Sequence, residues 1–254
     1  MVLPLLLLAA WEVLSRTGMV PINLLPPPSL VLWTLWALAK SGELFVHIGI
    51  TFERVTLGFL AGAAAATLAG ALSGYSARWR ELLDPMLQSL RNIPSLAWVP
   101  LFVLWLGIFE ASKISLIAFG VFFPVYLNLM SGIQDVDRKL VEVGRMYGMS
   151  GATLVRRVLL PATLPAFLVG LRGGLSMGWM FVVAAEYMGA SEGIGYLLVD
   201  GQESGRPATI IAAILLFALF GKLSDFALER VGRRYLSWQD SFRTGNERAA
   251  NAPR

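Results

Sequence analysis

The sequence predicts an all-α membrane protein with six transmembrane helices. Hydrophobic residues make up 56% of its 254 residues and charged residues only 15%, whereas a soluble domain is about 25% charged. Several apolar segments approach the roughly 20 residues that a helix needs to cross a bilayer. These figures exclude a soluble domain, a disordered chain and collagen. The chain has no cysteine, which also excludes disulfide scaffolds and cysteine zinc sites.

The first predicted span runs from Val2 to about Thr17. It lacks the basic n-region and the clear cleavage site of a signal peptide, so we expect it to be uncleaved. A proline run at 26–28 then breaks the chain, and Ser29 is predicted to cap a helix that extends to about Lys40. Trp33 and Trp36 suit a helix that lies in the membrane interface. Residues 1–46 therefore form one predicted unit, a first span followed by a periplasmic interfacial segment.

The remaining five spans form a predicted core at 47–231, followed by a basic tail at 232–254. Pro94 and Pro100 interrupt the third span. Small residues at four-residue spacing, which permit close helix packing in lipid, occur at Gly58/Gly62, Gly70/Gly74 and Gly170/Gly174/Gly178. We expect these glycines to pack helices within one subunit or across the two-fold axis of a homodimer. The five spans are predicted at about 48–75, 86–107, 113–133, 163–189 and 207–226.

The distribution of cations predicts the orientation. If the polar loop at 134–160 is inside, fourteen of the 21 lysines and arginines lie in inside segments and four in outside segments. Cytoplasmic loops carry the excess of lysine and arginine, so both termini are expected in the cytoplasm. The basic balance therefore reflects topology and not nucleic-acid binding. The single histidine, His47, is interpreted as an interfacial residue, with a proton relay or a ligand as the alternative.

The loop between the fourth and fifth spans carries the clearest functional pattern. An amphipathic helix is predicted first, since apolar residues fall at helical spacing. Gly148 breaks it, Ser150 can cap a second short helix, and Pro161 is expected to close that helix before the next span. Such a helix pair suits docking in the groove of another protein, or resting on lipid headgroups. The apolar positions are Val136, Leu140, Val143 and Tyr147.

This loop resembles the EAA loop of permease subunits of bacterial ABC importers. The matching pattern is Glu142-x5-Gly148-x9-Val158-x-Leu160-Pro161. Val143 and Gly144 replace the two alanines of the family pattern, and Val158 replaces an isoleucine. The resemblance implies a type I importer permease fold in which this coupling loop, 134–161, binds an ATPase subunit.

Further segments narrow the resemblance to the nitrate/sulfonate/taurine importer permeases, and within them to aliphatic sulfonate permeases. These segments lie at 26–29, 41–44, 91–101, 106–114 and 193–197. The resemblance implies a bacterial inner-membrane complex with a second copy of the chain and two ATPase subunits. ATP and magnesium would be bound by the ATPases, and a periplasmic or lipid-anchored binding protein would deliver the substrate. Nitrate and taurine are alternative substrates, and an ion-coupled secondary transporter is the alternative class.

The chemistry that the sequence lacks agrees with a non-enzymatic transport subunit. There is no G-x4-G-K-[ST] phosphate loop, because Gly221-Lys222 is followed by Leu223 and lacks an upstream glycine at the required spacing. A single histidine gives no plausible serine–histidine–acid set, and no metal-ligand cluster is evident. We therefore expect no cofactor and no catalytic or metal-binding residue in this chain.

Charged residues inside the spans have two interpretations. Charges in a bilayer are costly and are usually functional or paired. Arg54 and Arg172 are candidates for the path of an anionic substrate, and inter-helix ion pairs or headgroup contacts are the alternative for each. Lys222 and Asp225 lie three residues apart and are expected to pair with each other.

Overall fold

The computed structural model describes residues 2–187 and 189–236, and within these ranges all regular structure is helical. The predicted all-α class is therefore confirmed, while residues 237–254 of the predicted basic tail lie outside the described residues. The helices, with one π-helical segment between α8 and α9, are α1 (Val2–Arg16), α2 (Pro28–Ser41), α3 (Glu43–Tyr75), α4 (Ala77–Arg91), α5 (Ser95–Leu106), α6 (Glu110–Gln134), α7 (Arg138–Met146), α8 (Gly151–Leu154), the π segment (Val155–Leu159), α9 (Leu160–Tyr187), α10 (Ile194–Glu203) and α11 (Pro207–Tyr235).

Four helices in the described part of the chain are long and apolar enough to cross a membrane. They are α3, α6, α11 and the continuous helix Val155–Tyr187, in which the π segment leads into α9. α1 is apolar but has 15 residues, fewer than the roughly 20 that a helix needs to cross a bilayer. The count of six spans therefore stays a prediction.

The predicted third span consists of two helices, α4 and α5. The break falls at Asn92–Pro94 because the residue before a proline disfavours helical backbone, so α4 ends at Arg91. Pro94 is extended and forms the N-cap of α5. Pro100, which also was expected to interrupt this span, lies inside α5 without ending it.

The centre of the fold is α6, which packs between α3 and α9. A Cβ on Gly58 of α3 would lie 2.5 Å from the Ile117 Cγ2 atom, and one on Gly174 of α9 would lie 2.9 Å from the Val125 Cγ2 atom. The missing side chains therefore allow both helices to approach the α6 backbone. The glycine rows pack helices within one subunit, which is the first of the two predicted alternatives.

A second group, α2, α10 and the first turns of α11, covers the ends of α3 and α9 that lie away from the coupling loop, and the rest of α11 runs along α9. The helix predicted to extend to about Lys40 is α2, with Pro27 and not Ser29 as its N-cap residue, and its place in the membrane interface stays a prediction. Ser29 lies in the first turn, where its backbone N–H donates to the Glu12 Oε2 atom of α1 at 3.0 Å and its hydroxyl donates to Glu12 Oε1 at 2.7 Å. A carboxylate at this positive helix end is stabilising and ties α1 to α2.

Candidate functional site

The coupling loop folds as a helical hairpin, in which α7 packs against α8 and the π segment. The Asp137 side chain caps α7 by accepting a hydrogen bond from the Lys139 backbone N–H at 2.9 Å. Gly144 is the buried residue of α7. A Cβ at Gly144 would lie 2.7 Å from the Leu154 Cδ1 atom and 3.3 Å from the Val158 Cγ2 atom. Because Gly144 has no side chain, α7 can pack closely against α8 and the π segment at this position.

Gly148 makes the turn that reverses the chain after α7. Its φ of +74° lies in the left-handed region, as expected for the glycine that ends a helix. Its N–H donates to the Arg145 carbonyl at 2.9 Å, and the Met149 N–H donates to the Gly144 carbonyl at 3.0 Å. These two bonds form a Schellman motif, which satisfies the last carbonyls of the helix. The predicted break at Gly148 is confirmed.

An apolar stripe remains exposed on the hairpin. Its residues lie on α7 and at its end. Leu140, Val143 and Tyr147 border, together with Gly144, a depression between α7 and the π segment, and they remain about half exposed or more. Glu142 is exposed beside them and forms no ion pair with a residue in the described ranges. An exposed apolar patch of this kind is typical of a surface that binds a partner. The stripe consists of Leu140, Val143, Met146 and Tyr147.

Pro161 does not close the second helix, and this expectation was wrong. The chain remains helical from Gly151 through the π segment into α9. The Leu160 N–H donates to the Val155 carbonyl, five residues back, so the helix widens just ahead of the proline. Proline lacks an N–H and clashes with the preceding turn, and a π-type widening is a known way to keep such a helix continuous. Val158 is half-buried in this widened turn, and Leu160 is exposed.

At the opposite end of α9 lies a mostly buried polar group, the Arg54 cluster, comprising Thr51, Arg54, Lys113, Glu186 and the more exposed Glu110. The Arg54 Nε and Nη2 atoms donate to the two Glu110 carboxylate oxygens at 2.6 and 2.7 Å. The Arg54 Nη1 atom donates to Glu186 Oε1 at 2.8 Å. The Arg54 and Glu186 side chains are 4% and 0% exposed. The cluster therefore joins α3, α6 and α9 through one arginine.

The Arg54 cluster also holds the segment that leads into α10. Glu186 accepts hydrogen bonds from the Thr51 hydroxyl at 2.8 Å and from the Gly195 N–H at 2.7 Å, and the Thr51 oxygen accepts from the Ile194 N–H at 2.8 Å. The His47 Nδ1 atom accepts from the Gly193 N–H at 3.0 Å. These acceptors satisfy N–H groups at the start of α10 that have no partner within the helix.

A second group of charges, the Arg172 cluster, joins α9 to α11. The Arg172 Nε and Nη2 atoms donate to both carboxylate oxygens of Asp225 at 2.8 and 2.9 Å, and Nη2 also lies 3.2 Å from a Glu229 oxygen. Lys222 lies 3.8 Å from Asp225, as its spacing predicted. Both arginines thus form inter-helix ion pairs, the alternative to a substrate path. A contact between either arginine and a substrate stays a prediction.

Several residues of the Arg54 cluster have no signal of their own in the sequence. Thr51 is one hydroxyl within an apolar helix, and Glu110 lies 56 residues from Arg54, so their pairing depends on the packing of α3 against α6. The two glycines of the Gly193-Ile194-Gly195 segment are the one feature of the sequence that points to a close contact here. A Cβ on either glycine would lie within 3 Å of the Glu186 side chain. No group of three or more potential metal ligands occurs in the described ranges.

Comparison with known proteins identifies the family. Residues 57–237, most of the chain, match the family described as the inner membrane component of binding-protein-dependent transport systems. The chain belongs to this family. The permease is 43% identical to the putative aliphatic sulfonates transport permease protein SsuC of Bacillus subtilis, over 95% of this chain and 88% of that protein. It is 41% identical to the protein of the same name from Escherichia coli, over 94% and 91% of the two chains.

A solved structure shares the fold of the permease. It is described as the inward-facing methionine ABC transporter MetNI, and the match has a TM-score of 0.62 at 21% identity, over 79% of this chain and 96% of that chain. The permease is therefore a multi-pass membrane subunit of an ABC transporter, and it is a transport subunit and not itself an enzyme. Its family also excludes the ion-coupled secondary transporter considered from the sequence.

Proposed function

We propose that the permease forms the transmembrane pore of an ATP-driven importer of aliphatic sulfonates. The observation that carries this substrate class is the high identity to two sulfonate permeases over more than nine-tenths of the chain. Nitrate and taurine are the alternative substrates within the same family. The family description supports the coarser part of the proposal, a transport component that works with a binding protein.

The proposed complex contains two copies of the permease, two ATPase subunits and a binding protein on the outer face of the bacterial inner membrane. The sequence lacks a phosphate loop, so ATP and magnesium would be bound by the ATPases. The proposed orientation places both termini and the coupling loop in the cytoplasm, because cytoplasmic loops carry the excess of cations.

The coupling loop would transmit ATPase movement to the spans. Its exposed apolar stripe supports docking of α7 in a groove of the ATPase, since an amphipathic helix binds such a groove through side chains at three- and four-residue spacing. Glu142, exposed beside the stripe, is free to accept hydrogen bonds from a basic group of the partner. Gly148, Val158, Leu160 and Pro161 would fix the hairpin that presents α7.

Uptake by the reconstituted complex tests the substrate class. The permease would be co-expressed with its partner ATPase and binding protein, purified and placed in vesicles that contain ATP. We expect ATP-dependent accumulation of ethanesulfonate, with taurine and nitrate taken up at least about tenfold more slowly. A preference for nitrate or taurine would contradict the sulfonate assignment and leave the importer assignment intact. Uptake that requires an ion gradient instead of ATP would contradict both.

A further inference from the structure

An apolar groove opens where the coupling loop leads into α9, and it is separate from the charge clusters and from the exposed stripe. It is bounded by the last turns of α3, the end of α6, the π segment and the first turns of α9, and its volume is about 820 Å³. This volume is within the range of about 300–1,000 Å³ that is typical of small-molecule sites. The groove is therefore large enough for an organic ligand.

The interior of the groove offers little to a small polar anion. Of its lining hydroxyls, that of Thr67 donates to the Ala63 carbonyl at 2.6 Å and that of Thr163 donates to the Leu160 carbonyl at 3.1 Å. Both donors are thus already bonded within their own helices. Apolar side chains such as Phe167 line the remaining interior. The groove favours a hydrocarbon chain over a desolvated sulfonate.

A cation lines the groove. Arg156 lies in the π segment, is exposed, and pairs with no acidic residue in the part of the chain described here. Tyr75 and Trp79 also line the groove and are 76% and 46% exposed. An adjoining depression, which shares Tyr75 with the groove, brings in Arg145. Aromatic rings and cations together are typical of the depth at which lipid headgroups lie.

We propose that the groove binds an anionic phospholipid from the leaflet on the coupling-loop side. Its acyl chain occupies the apolar interior, and its phosphate binds the exposed Arg156, with Arg145 in the adjoining depression. Charge complementarity to these cations supports this occupant, since basic pockets between spans on the cytoplasmic side bind anionic headgroups. The leaflet assignment depends on the proposed orientation. The lipid contacts the π segment, the part of the coupling loop that leads into α9, and therefore influences transport from a site outside the pore.

Lipid retention measured by native mass spectrometry tests the site. The complex would be extracted from nanodiscs that contain equal amounts of phosphatidylglycerol and phosphatidylcholine. We expect phosphatidylglycerol to remain bound to the wild-type permease, and Arg156→Gln to lower its retention about fivefold, the equivalent of about 1 kcal/mol per basic residue at a membrane surface. Arg157→Gln is the matched control, because Arg157 follows directly in sequence but does not line the groove.

Two results would overturn the proposal. The first is equal retention of the two lipids, or equal loss in the Arg156 and Arg157 variants. The second is occupation by another copy of the chain. Since the protein has no cysteine, Ala71→Cys in the groove lining would report this as a disulfide-linked permease dimer on oxidation. Neither readout depends on substrate uptake, so failure of the lipid site and failure of the proposed transport function are distinguishable.

Discussion

Gly148 combines an exposed position with a backbone conformation that other residues resist. A Cβ there would meet no atom within 4 Å, so space does not explain the glycine. Its φ of +74° does, because a non-glycine residue in the left-handed region costs about 1–2 kcal/mol, with asparagine and aspartate tolerating it best. The position therefore responds to backbone preference and not to side-chain volume.

We expect Gly148→Val to lower ATP-driven uptake about tenfold, since a cost of about 1–2 kcal/mol depletes the bent hairpin that presents α7. Gly148→Asn is the matched control and should retain most of the uptake. Membrane abundance, co-purification of the ATPase and uptake would be measured for both variants. Equal uptake by the valine and asparagine variants, at equal abundance, would show that the turn does not govern coupling.

At the scale of helices, two glycines of α3 lie in different environments. A Cβ on Gly62 would collide with the Ala118 backbone of α6, whereas one on Gly49, in the same helix, would meet nothing within 4 Å. Because backbone cannot move aside as a flexible side chain can, a methyl group at Gly62 must separate the two helices. The same substitution at Gly49 affects the helix alone.

Gly62→Ala should destabilise the permease, whereas Gly49→Ala should not. Overpacking at Gly62 is expected to destabilise the permease by about 1–3 kcal/mol. Alanine at Gly49 should be neutral or stabilising by up to about 1 kcal/mol, as alanine favours helix over glycine. Thermal unfolding of the detergent-solubilised protein would compare them. A rise in melting temperature for both variants would be inconsistent with the close contact between α3 and α6.

The elements differ in how far their sequence predicts them. The long apolar runs predict α3, α6 and α11 because their length alone fits a membrane-spanning helix. Pro94 correctly predicts a break in the third span. Pro161 predicts a second break that does not occur, because the helix continues through a π-type turn. The turn between α7 and α8 can be predicted from Gly148, because glycine readily adopts the positive φ that ends a helix. The Arg54 cluster depends on contacts between residues up to 135 positions apart, which no local pattern specifies.

The whole molecule exposes apolar side chains along its spans, as expected of helices that face lipid or another subunit. Leu104 of α5 is 79% exposed, Leu68 of α3 is 70% exposed, and Val169 of α9 is 61% exposed. Because apolar side chains do not distinguish the two possible orientations of a span, the orientation in the membrane depends on the charged loops. The excess of cations on the coupling-loop side therefore gives a testable topology.

Cysteine labelling should read that topology directly, because the chain has no cysteine of its own. Single cysteines at Gly18 and Gly189 are expected to react with a membrane-impermeant maleimide added to intact cells from which the outer membrane has been removed. A cysteine at Ser150, in the coupling loop, should react only after the cells are opened. Reaction of the Ser150 variant in intact cells would reverse the proposed orientation.

The continuous helix Val155–Tyr187 connects the coupling loop to the Arg54 cluster. Its 33 residues correspond to a rod about 50 Å long, with the coupling loop at one end and Glu186 at the other. The π segment and the prolines at 161 and 165 lie within the first eleven residues of this helix, where a helix bends most readily. A tilt of about 5° of a rod of this length displaces its far end by about 4 Å, more than the length of any hydrogen bond that holds Glu186. A tilt of the whole helix, driven from the coupling loop, would therefore break the ion pair of Arg54 and Glu186.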